Sequence, residues 1–408
     1  MTFFKLTIRD VPIEGKTVLV RADYNVPLTH DGKIDDDLRI RASIPTLQYL
    51  LDRHCKVVVM SHLGRPVGHE AKFSLEPVAE RLRELLGIPV QFVDDCIGDK
   101  VVQAVKKAAP GTVTLLENLR FYTEEEADDH EFAKKIATAT GARYFVQDGF
   151  GVVHRAHAST HAITLCIPSV SGLLLEKEYM TITKAMRSPD RPLVAVLGGA
   201  KISDKIAIIE EFVRVADKII IGGAMANTFL AYKGVAMGKS IFETNQNEEL
   251  DRIYAAAREK VGEAEVDNFI LLPTDVAVAK APTPEAERRV VALDAIESDD
   301  EALDVGDVSI DHIIADLQGV KTVIWNGTLG YAELPAFAHG SARLALELAT
   351  HPDITSIIGG GDTADFVLKW DAAGGKSFTH VSTGGGASLE LMSGEKLPGI
   401  ESLLDARK

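Results

Sequence analysis

The sequence contains few of the features that mark secreted, membrane-bound or metal-stapled proteins. Only three cysteines occur in 408 residues, and Cys55, Cys96 and Cys166 show no pairing pattern. This favours free buried thiols in a reducing cytoplasm over a disulfide framework. No apolar run approaches the roughly 18 residues of a membrane span. The opening segment, MTFFKLTIRD, lacks the basic and apolar regions of a signal peptide. We therefore expect a cytoplasmic protein with no membrane partner.

Positive charge is also in short supply. The chain has 44 Lys and Arg against 60 Asp and Glu, a net charge of -16. This argues against a nucleic-acid partner, because nonspecific binding of nucleic acids needs a basic surface. It also means that a polyanion site must concentrate cations against the field of the protein. A length of 408 residues predicts two domains rather than one.

Short β-branched runs alternate with amphipathic stretches along the chain. Such alternation predicts parallel sheets with helices on both faces, and short apolar strands are typical of sheets buried on both sides. Helices are predicted over Glu76–Leu86 and Asp129–Thr140, and the acidic cluster at 124–129 is interpreted as a solvated helix start. The predicted strands are Lys16–Arg21, Lys56–Ser61, Thr112–Leu116, Tyr144–Gln147, Leu193–Leu197, Lys218–Ile221, Asn268–Leu271, Thr322–Trp325, Thr355–Ile358 and Thr379–Ser382.

A break in the alternation divides the chain near its middle. The segment Ser171–Arg187 has a helical pattern and is followed by SPDRP, whose prolines end the helix. We interpret this helix as the connector between two domains. The predicted fold class is α/β, with a first domain at 1–171, a connecting helix at 172–187 and a second domain at 188–390.

Cationic side chains follow several strands of the first half. Ligands of open α/β sheets lie beyond the carboxyl ends of the strands, so the residues after each strand are the candidates. Guanidinium groups suit bidentate contacts with phosphate or carboxylate. Their repetition at equivalent positions favours a polyanion pocket over independent surface ion pairs. The segments are Arg21–Pro27, Ser61–Pro66, Glu117–Arg120 and Asp148–His157, together with Arg39 and Arg41.

The second half has glycine-rich turns at the corresponding positions. Backbone N–H groups at a helix start bind phosphate, and glycine lets the chain approach a ligand closely. Asp362 stands where a Mg²⁺ that bridges nucleotide phosphates would be held. Lys201 and Lys205, spaced i, i+4, can lie on one helix face. The turns are Gly198–Lys205, Gly222–Met225, Asn326–Gly330, Gly359–Thr363 and Ser382–Ala387.

Three other motifs keep alternative functions open. Gly359, Gly361 and Ala364 match a dinucleotide-binding fingerprint, but the next strand ends without the acidic residue that such a site needs. The P-loop-like segment 234–240 has its first glycine one residue too close. An oxidoreductase is the second hypothesis, and a noncatalytic sensor of phosphorylated ligands is the third. The histidines that suggest a metal site, without Cys or carboxylate at ligand spacing, are His154, His157 and His161.

Taken in order, these segments resemble the phosphoglycerate kinase family over nearly the whole chain. The resemblance implies two Rossmann-like domains, each a parallel sheet covered by helices, joined by a connecting helix. It also implies that a C-terminal tail, about 391–408, packs back on the first domain. The segments that carry the resemblance are RADYNVP, SHLGRP, LLENLRF, DGFGVVHRAH, LGGAKISDK, VIWNG, GGGDTAD and STGGGASLELMSG.

The resemblance further implies a reaction and its residues. The family transfers a phosphoryl group between ATP and the carboxylate of 3-phosphoglycerate, with Mg²⁺ on the nucleotide, giving ADP and 1,3-bisphosphoglycerate; we expect a monomer. The matched catalytic residues are Arg39, Lys205, Gly361 and Gly386. The matched 3-phosphoglycerate residues are Asp23, Tyr24, Asn25, Arg39, His62, Leu63, Gly64, Arg65, Arg120 and Arg155. The matched nucleotide residues are Lys201, Lys205, Asn326, Glu333 (ribose), Gly360, Gly361, Asp362 (also Mg²⁺) and Thr363.

Two places depart from the family pattern. Thr328 stands where the family commonly has proline, and Ala302–Asp307 matches the nucleotide-side loop only loosely. Both concern the packing of base and ribose rather than the reaction. No general base occurs among the matched residues, which agrees with a carboxylate nucleophile that is already ionised at pH 7. Because the two ligands match different domains, we also expect hinge closure about the 172–187 helix.

Overall fold

The computed structural model describes residues 2–406, which fall into two compact units. Unit 1 consists of the chain up to Met180 together with the segment from Glu395 onward, and unit 2 is Thr181–Gly394. Each unit contains a six-stranded parallel sheet, so the predicted α/β fold class is confirmed. Among residues 2–406, no helix combines the length and the apolar character needed to cross a membrane.

Unit 1 is a parallel sheet with helices between its strands. In chain order its elements are β1 (Thr17–Arg21), α1 (Leu38–Leu51), β2 (Lys56–Met60), α2 (Glu76–Leu86), β3 (Val90–Val93), α3 (Gly98–Lys107), β4 (Thr112–Leu116), α4 (His130–Thr140), β5 (Tyr144–Gln147) and β6 (Ser169–Ser171). The strands lie in the order β3-β4-β2-β1-β5-β6. Helix α5 (Leu173–Arg187) follows and runs from unit 1 into unit 2.

Local sequence explains both the strands and the helix ends of unit 1. Val18, Leu19 and Val20 of β1 are all fully buried, as expected where both faces of a parallel sheet are covered. Asp129 begins α4 by accepting a hydrogen bond from the backbone N–H of Phe132 (2.6 Å). Gly141 ends this helix in the left-handed conformation, with φ of 57°. Such stops return the chain to the sheet for the next parallel strand.

Unit 2 repeats this plan and adds a small antiparallel sheet. In chain order its elements are β7 (Leu193–Leu197), α6 (Ile206–Val215), β8 (Lys218–Ile221), α7 (Gly223–Tyr232), α8 (Asn247–Val261), α9 (Val266–Phe269), β9 (Ile270–Leu271), β10 (Asp275–Ala279), β11 (Arg289–Ala292), β12 (Glu301–Val305), α10 (Asp307–Asp316), β13 (Thr322–Asn326), α11 (His339–Thr350), β14 (Thr355–Gly359), α12 (Gly361–Trp370), β15 (His380–Val381) and α13 (Gly386–Met392). The parallel sheet has the order β15-β14-β13-β7-β8-β9, and the antiparallel sheet has the order β11-β10-β12.

The C-terminal segment is tied to the start of the chain within unit 1. The Lys5 ammonium is buried and donates to the carbonyls of Glu401 (2.7 Å) and Leu403 (2.9 Å) and to Asp405 Oδ1 (2.7 Å). The Gly399 N–H donates to the Val153 carbonyl (2.9 Å). The bonds from Lys5 give the carbonyls of Glu401 and Leu403 a charged donor in place of water.

All ten predicted strands are present, with small differences in their bounds. Asn268 and Phe269 belong to α9, so β9 is shorter than predicted, and Ser171 lies in β6, so the connecting helix begins at Leu173 rather than Ser171. The strands that the sequence did not indicate are β3, β6, β10, β11 and β12.

Two expectations about individual side chains are wrong. Cys55 and Cys96 are buried as predicted, but Cys166 is exposed. Asp129 does begin a helix, yet Glu125 of the same acidic cluster is fully buried rather than solvated. The reason is a set of internal donors, since Ser159 donates to Glu125 from both its N–H and its hydroxyl.

We predict that Lys5→Met lowers the free energy of unfolding by about 2 kcal/mol, because carbonyls of the tail lose a charged donor. Urea denaturation followed by circular dichroism would measure this as a lower midpoint at unchanged slope. Lys16→Met is the control, because Lys16 is exposed and should change stability by less than about 0.5 kcal/mol. Equal effects of the two substitutions would contradict the role of Lys5.

Candidate active site

The residues that follow the central strands of unit 1 lie together at one edge of the sheet. Strands β4, β2, β1 and β5 are parallel neighbours, so their carboxyl ends meet there. Arg21 ends β1, and His62, Arg120 and Arg155 follow the other three. Electrostatic coupling between Arg120 and each of Arg21, Arg65 and Arg155 shows that these groups are close. We call Arg21, Arg39, Arg65, Arg120 and Arg155 the cationic cluster.

Arg39 is held by the loop after β1. It lies in the first turn of α1, and its Nη1 donates to the Asn25 carbonyl (2.7 Å) and lies 3.5 Å from Asp23 Oδ2. Asn25 also accepts from the N–H of Gly64 through Oδ1 (2.8 Å), which joins this loop to the loop after β2. The Arg39 side chain remains 27% exposed. Its other guanidinium nitrogens donate to no residue between 2 and 406, so they are available to a ligand.

Asn118 joins the loops after β2 and β4. Its side chain is fully buried, accepts from the N–H groups of Leu63 (3.2 Å) and Arg120 (3.0 Å), and donates to the carbonyls of Leu63 (2.7 Å) and Phe73 (2.9 Å). Arg120 Nη1 in turn donates to the Gly64 carbonyl (2.8 Å). A buried amide with all its groups satisfied fixes the relative position of these loops.

The cluster stays positive because its arginines are only partly paired. Arg65 and Arg155 are exposed and form no ion pair with any residue in the described range 2–406. Arg120 Nε lies 3.0 Å from Glu126 Oε1. Burial lowers the Arg120 pKa, and Glu126 opposes that shift. A guanidinium remains charged in proteins, so the cluster offers phosphate or carboxylate several planar donors.

The histidines beside the cluster are uncharged. The pKa of His62 lies well below its ordinary value, first because the ring is buried and then because Arg21, Arg120 and Arg39 face it. Burial, followed by Arg120, lowers the pKa of His157 to about 4. Positive charge therefore resides on the guanidinium groups, and the imidazoles act as neutral hydrogen-bonding groups.

Two residues matched to the acceptor site have side chains that belong to the core. The Tyr24 ring is fully buried, with its hydroxyl 2.9 Å from Ser43 Oγ, and its N–H donates to Ser61 Oγ (2.8 Å). Leu63 is 2% exposed. A ligand can therefore meet only main-chain atoms at these two positions.

The glycine-rich turns of unit 2 also lie at one sheet edge, since the strands that precede them are parallel neighbours. The turns after β7 and β13 are in backbone contact. A Cβ at Gly198 would lie only 2.1 Å from the Thr328 carbonyl oxygen, so the contact requires glycine. Thr328 itself is accommodated, because its hydroxyl donates to the Gly330 carbonyl (2.9 Å) and its carbonyl accepts from Gly199 (3.1 Å).

Lys205 lies where these two turns meet. Its Nζ donates to the carbonyls of Gly198 (2.8 Å) and Asn326 (3.2 Å), which leaves one N–H for a ligand. Burial lowers the Lys205 pKa to about 8, against the opposing effect of Asp362 and Asp204. The lysine is therefore a partly desolvated cation. Lys201, by contrast, is exposed.

The start of α12 presents further groups suited to a nucleotide. Thr363 is fully buried and accepts from the N–H of Gly327 through Oγ1 (2.6 Å). Asn326 Nδ2 is buried and has no hydrogen-bond partner within the described part of the chain. The Asp362 carboxylate is exposed and forms no hydrogen bond or ion pair with residues 2–406. An orphaned donor and a free carboxylate fit, respectively, a phosphate oxygen and a cation.

Two glycines predicted as catalytic, Gly361 and Gly386, and one predicted as nucleotide-binding, Gly360, lie at helix starts. Gly360 precedes α12 with φ of 87°, and a Cβ at Gly361, the first residue of that helix, would meet nothing within 4 Å. Gly386 is exposed and is the first residue of α13, which follows the neighbouring strand β15. The main chain at Gly361 is therefore open to close approach by a ligand.

A cleft of about 330 Å³ lies beside the turns within unit 2. Its volume is at the lower end of the range of small-molecule sites. Both Asp362 and Glu333 line it, together with the backbone of the glycine turns. Glu301–Leu303 lines it as well, which places part of the loosely matched 302–307 stretch at the cleft. Apolar lining residues that no sequence signal indicated are Ile241, Pro282 and Tyr331.

Sequence reasoning missed the residues that support the cationic cluster. Asn118 stood in a segment selected for its arginine, and its role as the link between two loops was not foreseen. Ser159 and Glu125 lie far along the chain from Arg21, yet Arg21 Nε donates to Ser159 Oγ (2.7 Å). No local pattern announces such long-range contacts, because they depend on tertiary packing.

The fold and the two sets of strand-end residues define an α/β enzyme of the phosphotransferase class. The family model for phosphoglycerate kinase matches residues 8–395. The phosphoglycerate kinase of Dictyoglomus turgidum is 45% identical, with 98% of each chain covered. That of Pelotomaculum thermopropionicum is 44% identical over 98% of this chain and 99% of the relative. A cytosolic phosphoglycerate kinase of Triticum aestivum is 45% identical over 98% of each chain.

Solved structures agree with the sequence relatives. The phosphoglycerate kinase of Coxiella burnetii has a TM-score of 0.82 at 35% identity, and that of Pyrococcus horikoshii a TM-score of 0.83 at 31% identity. Each comparison covers 98% of both chains. The chain belongs to the phosphoglycerate kinase family, kinases that transfer phosphate to a carboxylate acceptor.

We predict that kcat/KM for the nucleotide falls as the pH rises through about 8, because Lys205 then loses the charge that attracts phosphate. Bound phosphate favours the charged form, so kcat should fall only at higher pH. Steady-state kinetics from pH 7 to pH 10 would measure the decrease of both kcat/KM and kcat. In Lys205→Arg the cation persists across this range, so the decrease at alkaline pH should disappear. An unchanged decrease in that variant would exclude Lys205 as its source.

Proposed function

We propose that the protein catalyses the reversible phosphoryl transfer of glycolysis between ATP and 3-phosphoglycerate, giving ADP and 1,3-bisphosphoglycerate. The observation that supports this proposal most strongly is the cationic cluster of unit 1. Four of its arginines end or follow strands, and the fifth, Arg39, lies in the first turn of α1, in a chain of net charge -16. Such a concentration of guanidinium groups suits an acceptor with both a phosphate and a carboxylate. Family membership supports the same reaction.

The acceptor is assigned to unit 1. Arg65 and Arg155, exposed and without ion pairs, are suited to the phosphate of 3-phosphoglycerate, and Arg120 lies electrostatically coupled to both. Asp23, Asn25 and His62 offer neutral or anionic groups that suit a hydroxyl. The bonds of Asn118 and Asn25 hold these loops together before the ligand arrives, which reduces the ordering cost of binding.

The nucleotide is assigned to the cleft of unit 2. Glu333 lines the cleft and suits the ribose hydroxyls, while the apolar wall and the glycine turns suit a flat base. Lys205, the orphaned amide of Asn326 and the start of α12 suit the phosphates. Thr363 holds the start of α12 in place, since its hydroxyl accepts a hydrogen bond from the N–H of Gly327 in the turn after β13.

Mg²⁺ is assigned to Asp362. Its carboxylate is free of protein partners within residues 2–406 and lies at the cleft, which fits a hard cation with oxygen ligands. In the described part of the chain, the one cluster of three candidate ligands is Glu297, Asp299 and Asp300, and its carboxylates bind Lys280. A metal at Asp362 would therefore take its remaining ligands from phosphates and water. When bound, it would neutralise charge on the phosphates of the nucleotide.

The reaction needs charge neutralisation and positioning rather than a base. The acceptor carboxylate is ionised at pH 7 and can attack the γ-phosphorus directly. The transition state spreads negative charge over the transferred group. Arg39 and Lys205, each with unused N–H groups, are suited to stabilise that charge, as are the backbone N–H groups at Gly361 and Gly386. Transfer requires the reacting atoms to approach within about 3–3.5 Å.

A coupled assay tests the proposal. The protein with ATP, Mg²⁺ and 3-phosphoglycerate should produce ADP and an acyl phosphate, detected by oxidation of NADH in the presence of glyceraldehyde-3-phosphate dehydrogenase. Omitting 3-phosphoglycerate or Mg²⁺ should abolish the signal. No turnover by a folded protein with all components present would contradict the proposed function.

Arg39→Ala should lower kcat by about 10²–10³-fold, because one donor to the transferred group is lost. The effect on KM for either substrate should be smaller than the effect on kcat. Steady-state kinetics would measure it. Arg41→Ala is the matched control on the same helix, since Arg41 pairs with Asp37 at the surface (2.9 Å). A wild-type kcat in Arg39→Ala would refute the role.

Asp362→Asn should weaken binding of the Mg²⁺-nucleotide and leave binding of 3-phosphoglycerate intact, because the two ligands are assigned to different units. Calorimetry with each ligand separately would show this. Asp365→Asn is the matched control on the same helix, since Asp365 pairs with Lys369 at 3.0 Å. Equal weakening of both ligands in Asp362→Asn would point to a misfolded variant or a wrong assignment.

A further inference from the structure

We propose that Arg21, anchored by Ser159 and Glu125, holds His62 as a neutral imidazole with its proton on Nε2, and that this N–H is what His62 offers to the acceptor substrate. The inference deepens the proposed function and rests on it. Arg21, Ser159 and Glu125 are positioning residues here, because they act through His62.

The three supporting residues form a buried chain behind His62. Arg21 is 1% exposed, and Ser159 and Glu125 are fully buried. Arg21 Nε donates to Ser159 Oγ (2.7 Å), and another of its nitrogens, Nη1, donates to the Ala22 carbonyl. Ser159 donates to Glu125 through its hydroxyl (2.5 Å) and its N–H (3.0 Å). The guanidinium is thus fixed at two points before it meets the histidine.

The remaining contact of Arg21 assigns the proton of His62. Arg21 Nη2 lies 3.2 Å from His62 Nδ1. A guanidinium has only donors, so Nδ1 must be the acceptor and cannot carry a proton. In a neutral imidazole the proton then lies on Nε2. The arginine therefore selects both the tautomer and the orientation of the ring.

The surroundings of His62 keep the ring neutral. It is faced by Arg21 from β1, Arg39 from α1, Arg120 from the loop after β4 and His157 from the loop after β5. Asp23 Oδ1 lies 4.0 Å from Nδ1, which is beyond hydrogen-bond distance. A second proton on Nδ1 would break the bond from Arg21 and add a charge beside arginines. Nε2 has no hydrogen-bond partner among residues 2–406, so its N–H is unused.

A neutral donor has a clear use beside a cationic cluster. The arginines attract an anionic acceptor. Their positive charge, and therefore this attraction, stays constant over the pH range in which an ordinary histidine titrates. His62 then adds a directional hydrogen bond without a charge that changes with pH. The hydrogen bond from His62 to an oxygen of the acceptor is therefore independent of pH near neutrality.

Nitrogen NMR of ring-¹⁵N-histidine protein tests the assignment directly. His62 is identified by the signals that vanish in His62→Gln. In the ligand-free wild type we expect an unprotonated, hydrogen-bonded Nδ1 and a protonated Nε2 at every pH between 6 and 8. Addition of 3-phosphoglycerate should move the Nε2 signal. A proton on Nδ1, a doubly protonated ring, or an Nε2 signal that ignores saturating 3-phosphoglycerate would overturn the proposal.

Ser159→Ala removes one anchor of Arg21 without changing any charge. The His62 nitrogen signals should shift towards those of a freely exchanging imidazole, and KM for 3-phosphoglycerate should rise roughly 2- to 10-fold, the equivalent of one buried hydrogen bond. KM for ATP should stay unchanged. Ser169→Ala is the matched control, a buried serine of β6 whose hydroxyl donates to the Ile167 carbonyl (2.7 Å); it should leave the His62 signals in place.

The double variant Arg21→Met with Glu125→Gln removes the donor while avoiding an unpaired buried charge. Without the nearby guanidinium the pKa of His62 should rise, so the ring should titrate at higher pH than in the wild type. KM for 3-phosphoglycerate should then fall with falling pH in the variant and stay level in the wild type over the same range. Unchanged His62 signals in both Ser159→Ala and the double variant would refute the role of the chain.

The readouts separate this inference from the proposed function. The tautomer is measured in the ligand-free protein and does not depend on turnover. An inactive protein with the expected His62 signals would contradict the proposed function, whereas an active protein with a proton on Nδ1 would contradict the inference alone.

Discussion

Burying a guanidinium without hydrogen-bond partners costs free energy. In unit 1 the buried guanidinium groups donate hydrogen bonds mainly to neutral groups, which lowers this cost without cancelling their charge. Arg21 is held by a hydroxyl, a carbonyl and an imidazole rather than by a direct ion pair. Arg120 likewise donates to a carbonyl, and its pairing with Glu126 is partial. These neutral partners accept several of the hydrogen bonds and leave net positive charge for a ligand. In a chain of net charge -16 this arrangement is what makes an anion site possible.

In unit 2, main-chain atoms rather than side chains hold a cation in place. The turns after β7 and β13 approach too closely for any side chain at Gly198. That contact directs the carbonyls of Gly198 and Asn326 towards Lys205, which fixes the ammonium beside the start of α12. The same turns line the cleft, so one backbone constraint positions both a cation and a binding surface.

The alternation of strands and helices was enough to predict both parallel sheets, because buried parallel strands such as β1 and β13 are continuous apolar runs. β6 has three residues and β11 alternates half-buried and exposed ones, so neither has a distinctive local pattern. They form strands only because a neighbour supplies the pairing.

The strand-end rule located His62 and Arg120 in unit 1 and the turn that contains Lys205 in unit 2, since the carboxyl ends of neighbouring parallel strands meet at one edge of each sheet. It could not find what supports them. In the sequence, Glu125 is one member of an acidic run that was interpreted as solvated. Its burial depends on contact with Ser159, which lies 34 residues further along the chain. The reaction was predicted from the resemblance to a family, whereas the hydrogen bonds that make the site rigid were visible only in the structure.

The proposed reaction proceeds by charge neutralisation and positioning, with no general base. The most direct test is the dependence of kcat on pH between about 6 and 7.5 at saturating substrates, since kcat reports ionisations in the bound complex. We expect a level profile, because the acceptor carboxylate stays ionised and the arginines stay charged. A kcat that falls tenfold for each unit of decreasing pH in this range would reveal a titrating base and contradict a mechanism without one.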